Sequence, residues 1–201
     1  VHFDLHHGDD SAPVRLGLVG VHHVHNALAA AATALTLGCD LPGVARWLGE
    51  ARALSPHRMA VTELDLQGRR VTLVDDSYNA NPDSMTAGLQ AASALAGGRR
   101  LVAVLGEMLE LGPASEDIHR EVARSAARVH TRVLVALGAG ARPLAEAMPP
   151  GTTILTASTP DEALTGLEPH LRDGDVVLVK GSNASGAWRV ADALAERGSG
   201  K

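Results

Sequence analysis

The 201-residue chain has one cysteine, Cys39, and aromatic side chains make up only 2% of it. A single cysteine excludes a disulfide within the chain and is typical of reducing compartments, so we expect a cytoplasmic protein. With so few aromatic rings, the core must be built from Val, Leu and Ala, and the apolar share of 45% suffices for that. The sequence lacks an apolar run of about 18 residues, the length that a membrane-spanning helix needs, so no membrane span is predicted.

The chain also lacks an excess of basic residues. Its formal net charge is −5, whereas non-specific nucleic-acid binding needs a basic face. We therefore predict no nucleic-acid partner. We also expect a monomer.

The first 56 residues contain too few predicted strands and helices for a complete domain. Alternation of apolar and polar residues predicts strands over Val1–Leu5 and Val14–Val19, joined as a hairpin. Helical patterns follow over Val24–Leu37 and Val44–Leu54. This segment resembles the trailing part of a larger domain, and since the chain begins without Met, we expect a fragment.

Residues 57–201 follow a different pattern, after a linker at 55–58. A predicted hairpin around Gln67-Gly68 is followed by strand and helix signals in alternation. The predicted strands lie at 59–66, 70–75, 101–105, 133–137, 153–155 and 176–179. The predicted helices lie at 85–95, 115–129, 141–148 and 185–197, and a further helix opens at a capping box with Thr159 at the N-cap and Glu162 at N3. Repeated strand–helix units predict an α/β fold with a Rossmann-like, mostly parallel sheet and helices on both faces.

The most informative stretch is Asp75–Ser84, between a predicted strand and a predicted helix. Asn81 is a good helix N-cap, and Pro82 suits the first helical position. Open α/β sheets bind ligands at the carboxyl ends of their strands. Asp76 could accept from ribose hydroxyls or bind a cation, but a capped helix with solvated acids is equally compatible with the pattern.

Two further loops leave strands at the same predicted edge. One is Gly106–Gly112, which carries two carboxylates between glycines, and the other is Lys180–Ser185. Lys180, followed by Gly and a helix start, could clamp a carboxylate or phosphate, although a lysine at a strand end often only reaches solvent. Gly138-Ala139-Gly140 is a weak dinucleotide signal that a strand-to-helix turn explains equally well.

The ten histidines raise the question of a metal site. Seven of them are candidate zinc ligands: His2, His6, His7, His22, His23, His25 and His57. None belongs to a helical i, i+4 pair with an intervening Glu, and one cysteine supplies no sulfur set. We predict no metal site there, and we expect His119 to be structural.

Five segments together resemble the Mur ligase family, and within it the MurF type. They are GVHHVHNALAA at 20–30, SPHRM at 55–59, DDSYNANPDS at 75–84, GEMLELG at 106–112 followed by His119, and VKGS at 179–182. These motifs cover essentially the whole chain in order. The resemblance implies that residues 1–56 are the end of a central ATP-binding domain. Residues 57–201 would then be a C-terminal domain that binds an amino acid or dipeptide.

The resemblance also implies an activity and residue roles. The implied reaction is ATP-dependent amide formation between UDP-N-acetylmuramoyl-tripeptide and D-alanyl-D-alanine through an acyl phosphate, in peptidoglycan synthesis, with ATP and Mg²⁺ bound mainly upstream. Arg58 and Lys180 would be catalytic, and nucleotide contacts would come from Asn26 (adenine), His57, Arg58 (phosphates) and Asp76 (ribose). The implied substrate-binding residues are Tyr78, Asn79, Asn81, Glu107, Lys180 and Ser182.

The sequence departs from the family pattern in places. His23 replaces a usual Asn, and Asn183 replaces the Arg that usually follows the KGS triplet. No G-x-x-x-x-G-K-[ST] phosphate-binding loop occurs in the 201 residues, so we expect this polypeptide alone not to turn over. The alternatives are a non-catalytic nucleotide- or peptide-binding module and a sister Mur ligase of other specificity. Tyr78-Asn79-Ala80-Asn81 favours the MurF type over the MurE type.

Overall fold

The computed structural model describes residues 1–18, 21–51 and 55–199. The chain divides into two compact units, Val1–Leu54 and Ser55–Lys201. Each unit has its own hydrophobic core, so we treat each by itself. Among the described residues, no helix combines the length and the hydropathy that crossing a membrane requires.

The first unit consists of a hairpin and two helices. Strands β1 (His2–His7) and β2 (Asp10–Arg15) pair antiparallel across Gly8-Asp9, where Gly8 adopts φ +61°. Helices α1 (His22–Thr36) and α2 (Leu41–Glu50) follow. Apolar residues from all four elements form one core, so the hairpin and the helices stabilise each other.

Two elements of this unit begin three or four residues before their predicted starts. The second strand begins at Asp10 rather than Val14, because only two residues connect the strands. Helix α2 begins at Leu41 rather than Val44, because the Asp40 side chain caps it by accepting from the Gly43 N–H. The predicted strand and helix ends at residue 19 and at 52–54 lie outside the described residues.

The second unit is a six-stranded sheet with helices on both faces. Its strands are β3 (Ala60–Leu66), β4 (Arg69–Asp76), β5 (Leu101–Gly106), β6 (Val133–Leu137), β7 (Thr153–Ala157) and β8 (Val176–Lys180). Their order is β3-β4-β8-β5-β6-β7, and only the β3–β4 pair is antiparallel. The helices are α3 (Pro82–Ala96), α4 (Ser115–Arg128), α5 (Arg142–Glu146), α6 (Pro160–Leu167) and α7 (Ala187–Gly198). The predicted α/β fold with a mostly parallel sheet is confirmed.

The central strands are apolar on both faces because helices cover both. Every residue of β5, β6 and β8 is buried. One face of the sheet packs on α6 and α7 in a single core cluster, whereas α3, α4 and α5 contact one another on the other. Such strands read as continuous apolar runs, which is why the sequence located them well.

The antiparallel β3–β4 hairpin closes one edge of the sheet. Gln67 and Gly68 form its two-residue turn with φ +58° and +83°, the left-handed pair that such turns need. Because β4 pairs parallel with β8 on its other side, the loop after β4 comes out beside the loop after β8.

Candidate functional site at the carboxyl edge of the sheet

Four neighbouring strands deliver their following loops to one edge of the sheet. In spatial order they are β4, β8, β5 and β6, all parallel. The loops at residues 77–81, 181–186, 107–111 and 138–140 therefore emerge side by side, where parallel α/β sheets place ligands. The candidate residues of the second unit lie in these loops, at the last positions of β4 (Asp76) and β8 (Lys180), or in the 57–59 segment.

The loop after β4 ends in the predicted helix cap. The Asn81 side chain accepts from the Ser84 N–H at 2.8 Å, and the Ser84 hydroxyl accepts from the Asn81 N–H at 3.0 Å. Pro82 occupies the first turn of α3. This reciprocal capping box confirms the predicted N-cap, and it engages the Asn81 side-chain oxygen in structure.

Lys180 ends β8 with a side chain that is only 2% exposed. Its Nζ donates to Asp76 Oδ2 at 2.6 Å and to the backbone carbonyls of Asn79 at 3.1 Å and Asp76 at 3.4 Å. A Cβ added at Gly88 of α3 would lie 3.0 Å from Lys180 Cδ, so that glycine leaves room for the lysine stem. All three ammonium protons are thus directed at the loop after β4.

Asp76 joins that loop to the segment that enters the second unit. Its Oδ1 accepts from the Met59 N–H at 3.2 Å, while its Oδ2 accepts from Lys180. Next to it, Asp75 Oδ2 lies 2.7 Å from His57 Nδ1, and Asp75 Oδ1 accepts from the Ser77 hydroxyl at 2.5 Å. Both carboxylates therefore hold backbone and side chains in place.

Arg58 lies between two residues in an uncommon backbone conformation. His57 and Met59 have φ +60° and +51°, in the left-handed region. The Arg58 guanidinium stacks 4.1 Å from the centroid of the Tyr78 ring, and the Tyr78 N–H donates to the His57 carbonyl at 3.0 Å. Within residues 55–199 no ion pair engages Arg58, so its charge is available to an anion.

Glu107 lies at the opposite side of this edge, half-buried at the end of β5. Its Oε2 accepts from the Gly140 N–H at 2.8 Å, and its carbonyl accepts from the Ser182 N–H at 3.2 Å. A Cβ at Gly138 would lie 2.9 Å from the Glu107 carboxyl carbon, so this glycine pair admits the carboxylate. Glu107 thereby connects three of the four loops.

Ser182 is 5% exposed, and its Oγ has no hydrogen-bond partner among the described residues. The backbone beside it is unusually close to β5, because a Cβ at Gly181 would lie 2.9 Å from Gly106 Cα and 2.5 Å from Ser185 Oγ. A buried hydroxyl without a partner is uncommon, and a bound polar group would satisfy it.

His119 holds the loop at residues 107–111 in place through a bond to its backbone. It is fully buried, its Nε2 accepts from the Met108 N–H at 3.0 Å, and its Nδ1 donates to the Ser115 carbonyl at 2.7 Å. These partners require a neutral imidazole protonated on Nδ1. The role is structural, as its helix position indicated.

His57 lies in a group of three potential cation ligands. One ligand atom each from His57, Asp75 and Asp192 lie within 4.8 Å of one another, but His57 and Asp75 already bond to each other. We assign no metal to this group, and the predicted absence of a metal site elsewhere stays a prediction.

Asn26 is exposed on α1 of the first unit. Asn183 begins a short 3₁₀ turn after Ser182. Sequence reasoning missed Ser77, the Met59 N–H and Ser185, which bind other site residues rather than solvent.

Comparison with known proteins agrees with this arrangement. Residues 57–183 match the Mur ligase, glutamate ligase domain. The UDP-N-acetylmuramoyl-tripeptide--D-alanyl-D-alanine ligase of Mycobacterium tuberculosis (strain CDC 1551 / Oshkosh) is 45% identical over 213 residues, covering 96% of this chain and 41% of the relative. The chain therefore spans about two fifths of that relative's length.

Solved structures give the same result. Crystal structure II of MurF from Acinetobacter baumannii superposes with a TM-score of 0.82 at 30% identity, covering 97% of this chain and 42% of that one. The MurF ligase from Thermotoga maritima, solved in complex with ADP, gives a TM-score of 0.79 over 98% of this chain and 43% of that one, and at 24% identity it supports the fold alone. The predicted resemblance is confirmed: the chain belongs to the Mur ligase family, and its relatives include ligases of the MurF type.

Proposed function

We propose that this chain is part of an ATP-dependent ligase of the MurF type, which joins D-alanyl-D-alanine to UDP-N-acetylmuramoyl-tripeptide. The name of the 45% identical mycobacterial relative supports both substrates. In this proposal residues 1–56 end an ATP-binding domain, and residues 57–201 form the domain that binds the dipeptide. The reaction belongs to peptidoglycan synthesis, and we propose a monomeric, cytoplasmic enzyme.

One observation carries the proposal for the second unit. An anion-free guanidinium (Arg58), a half-buried carboxylate (Glu107) and a buried hydroxyl without a partner (Ser182) all lie at the carboxyl edge of one parallel sheet. A dipeptide has one ammonium and one carboxylate, and the acyl group that it attacks must carry phosphate. A site with groups of both charges and an unsatisfied hydroxyl suits that combination.

The proposed chemistry has two steps. The tripeptide carboxylate attacks the terminal phosphorus of ATP, which releases ADP and forms an acyl phosphate. The deprotonated amine of the dipeptide then attacks the acyl carbon, and the tetrahedral intermediate expels phosphate. Positioning and charge stabilisation supply most of the catalysis in such reactions.

Residues of this chain would contribute in distinct ways. Arg58 would stabilise phosphate charge, because no carboxylate of the described residues neutralises it. Glu107 would accept a hydrogen bond from the dipeptide ammonium through its Oε1, since its Oε2 is engaged by Gly140. Ser182 would bond to the dipeptide, and Tyr78 and Asn79 would line the same loop.

Asp76 and Lys180 already use their polar atoms in bonds within the protein, so we propose a positioning role for them beside the predicted ligand contacts. Both carboxylate oxygens of Asp76 accept bonds from Met59 and Lys180, and all three Lys180 protons have acceptors. The ribose contact of Asp76 and the carboxylate contact of Lys180 stay predictions. We propose in addition that this pair fixes the segment that carries Arg58. Asn81 would act mainly through its cap.

Magnesium would offset phosphate charge when bound. The described residues of this site suit phosphate better than the ion itself, since the oxygens of Asp76 are engaged and those of Asp75 bond to His57 and Ser77. We propose that Asn26 and the missing phosphate-binding loop belong to the nucleotide site. On that basis the 201-residue chain alone should not turn over.

The test is a ligase assay on the enzyme that carries this chain behind a phosphate-binding domain. With ATP and UDP-N-acetylmuramoyl-tripeptide, we expect amide product with D-alanyl-D-alanine and none with L-alanine, D-glutamate or meso-diaminopimelate. Product from UDP-N-acetylmuramate and L-alanine instead, the substrates in the name of a 34% identical relative, would identify a sister ligase. ADP release by the 201-residue chain alone, dependent on both substrates, would refute the proposed inactivity.

A further inference from the structure

A second polar region lies at the amino ends of the same strands. Two adjoining cavities, of about 530 and 310 Å³, share Arg100 and Arg132 in their walls. Arg99 and His130 line the larger cavity, and Arg172 and His170 line the smaller one. Strand β5 separates this edge from the carboxyl edge by about 17 Å, its five residue steps at 3.3 Å each.

Two of these arginines are held in place. The Arg100 Nε lies 3.1 Å from Asp175 Oδ1, and one of its terminal nitrogens donates to the His170 carbonyl at 2.6 Å. Arg99 donates to the carbonyls of Leu95 and Ala96 and to the Thr72 hydroxyl. Their guanidinium groups are therefore fixed by the fold rather than free in solvent.

The acids near these arginines do not balance them. Asp175 is 1% exposed and is shared, because Oδ1 pairs with Arg100 while Oδ2 accepts from the Arg172 N–H at 2.8 Å. Asp173 is already an acceptor for the Arg70 N–H. In the described part of the second unit, neither Arg132 nor Arg172 forms an ion pair, and both are exposed.

We propose that the smaller of these two cavities, at the amino ends of the strands, binds a small phosphate-bearing anion. Arginine forks match the oxygens of phosphate in geometry as well as in charge, and Arg100, Arg132 and Arg172 surround one concave space. The chain as a whole carries a net charge of −5, so this local excess of positive charge is not a consequence of a basic protein.

This site is separate from the proposed dipeptide site, and neither requires the other. Anion binding here uses none of the loops at the carboxyl edge, and it can be measured on the 201-residue chain without ATP or peptide. Failure of the ligase assay would leave the anion site untouched, and the reverse also holds.

The experiment is calorimetric titration of the chain with pyrophosphate at low ionic strength. We expect saturable 1:1 binding that weakens about tenfold or more in the double variant R132Q/R172Q, because each bidentate charge-assisted contact is lost. Arg120→Gln is the matched control, since Arg120 is an exposed α4 residue paired with Glu116 and Asp117, and it should leave affinity unchanged.

A second control separates the two edges. Arg142→Gln removes an exposed guanidinium at the start of α5, after the carboxyl end of β6, and should not weaken pyrophosphate binding by more than about twofold. Inorganic phosphate, titrated in the same way, should also lose affinity in R132Q/R172Q, because the site is proposed to recognise the anion itself. Absence of binding, or binding lost in Arg142→Gln but kept in R132Q/R172Q, would overturn the proposal.

Discussion

The Lys180 ammonium lies 2.6 Å from Asp76 Oδ2, although 104 residues separate the two in sequence. This buried pair joins the end of β8 to the end of β4, and through the Met59 N–H it reaches the segment that presents Arg58. The ion pair thus links two motifs that the sequence presents as separate, and it gives Lys180 a measurable structural role.

Lys180→Met should destabilise the second unit by about 3 kcal/mol, because it keeps the buried stem and leaves the Asp76 carboxylate and the Asn79 carbonyl unpaired. Urea unfolding measures this loss. Arg142→Met is the control, since its pair with Glu146 is exposed and is worth about 0–1 kcal/mol. Equal effects from the two substitutions would show that the buried pair contributes no more than a surface pair.

Gly181→Ala should cost about 2 kcal/mol of unfolding free energy. The added methyl would lie 2.5 Å from Ser185 Oγ and 2.9 Å from Gly106 Cα, so the strand ends would have to separate. Gly166→Ala is the matched control in α6, where the nearest atom would be 4.0 Å away, and it should stabilise by about 0.5–1 kcal/mol. Thermal unfolding compares the two, and a neutral Gly181→Ala would show that the close approach is not required.

His119→Phe should destabilise the second unit by about 2 kcal/mol, because the buried Met108 N–H loses its acceptor while the ring volume is largely kept. Amide hydrogen exchange tests the local cause. We expect faster exchange at Met108, with the amides of β6 as internal reference. An unchanged exchange rate at Met108 would show that His119 does not hold the loop at residues 107–111.

Asp175 should make stability fall as pH rises through the acid range. Burial, the largest cause, raises its pKa above the ordinary value, whereas the Arg172 N–H and the charges of Arg100 and Arg172 oppose that shift. Between the ordinary and the raised pKa, the folded state binds more protons than the unfolded state, so raising the pH destabilises it. The penalty is absent below the ordinary pKa and complete above the raised one.

The comparison that isolates this effect is wild type against Asp175→Asn, with unfolding free energies measured from about pH 3 to pH 7. Relative to the variant, the wild type should lose stability as pH increases. A difference that is constant with pH, or that changes in the opposite direction, would contradict the raised pKa.

Local chemistry predicted much of this fold. The buried strands β5, β6 and β8 were recognisable as continuous apolar runs, and Asn81-Pro82 marked the start of α3 because capping depends on near neighbours. The resemblance of five motifs likewise identified the family.

The contacts between site residues could not be predicted from local sequence in the same way. The bond of the Lys180 ammonium to Asp76 could not be predicted, because it requires the space that Gly88 of α3 leaves for the lysine side chain. That choice depends on the packing of a helix and a strand far apart in sequence. The bond between Glu107 and the Gly140 N–H also depends on the pairing of β5 with β6, which no local pattern encodes.

The most direct test of the central claim is the KM for D-alanyl-D-alanine in the ligase that contains this chain. The site variants are Glu107→Gln and Ser182→Ala, and the control is Glu116→Gln, at an exposed position of α4. We expect the two site variants to raise the dipeptide KM about tenfold or more, as loss of a charged or buried hydrogen bond does, and to leave the KM for ATP within about twofold. Glu116→Gln should change neither. An unchanged dipeptide KM in both site variants would contradict the claim that the carboxyl edge of this sheet holds the dipeptide.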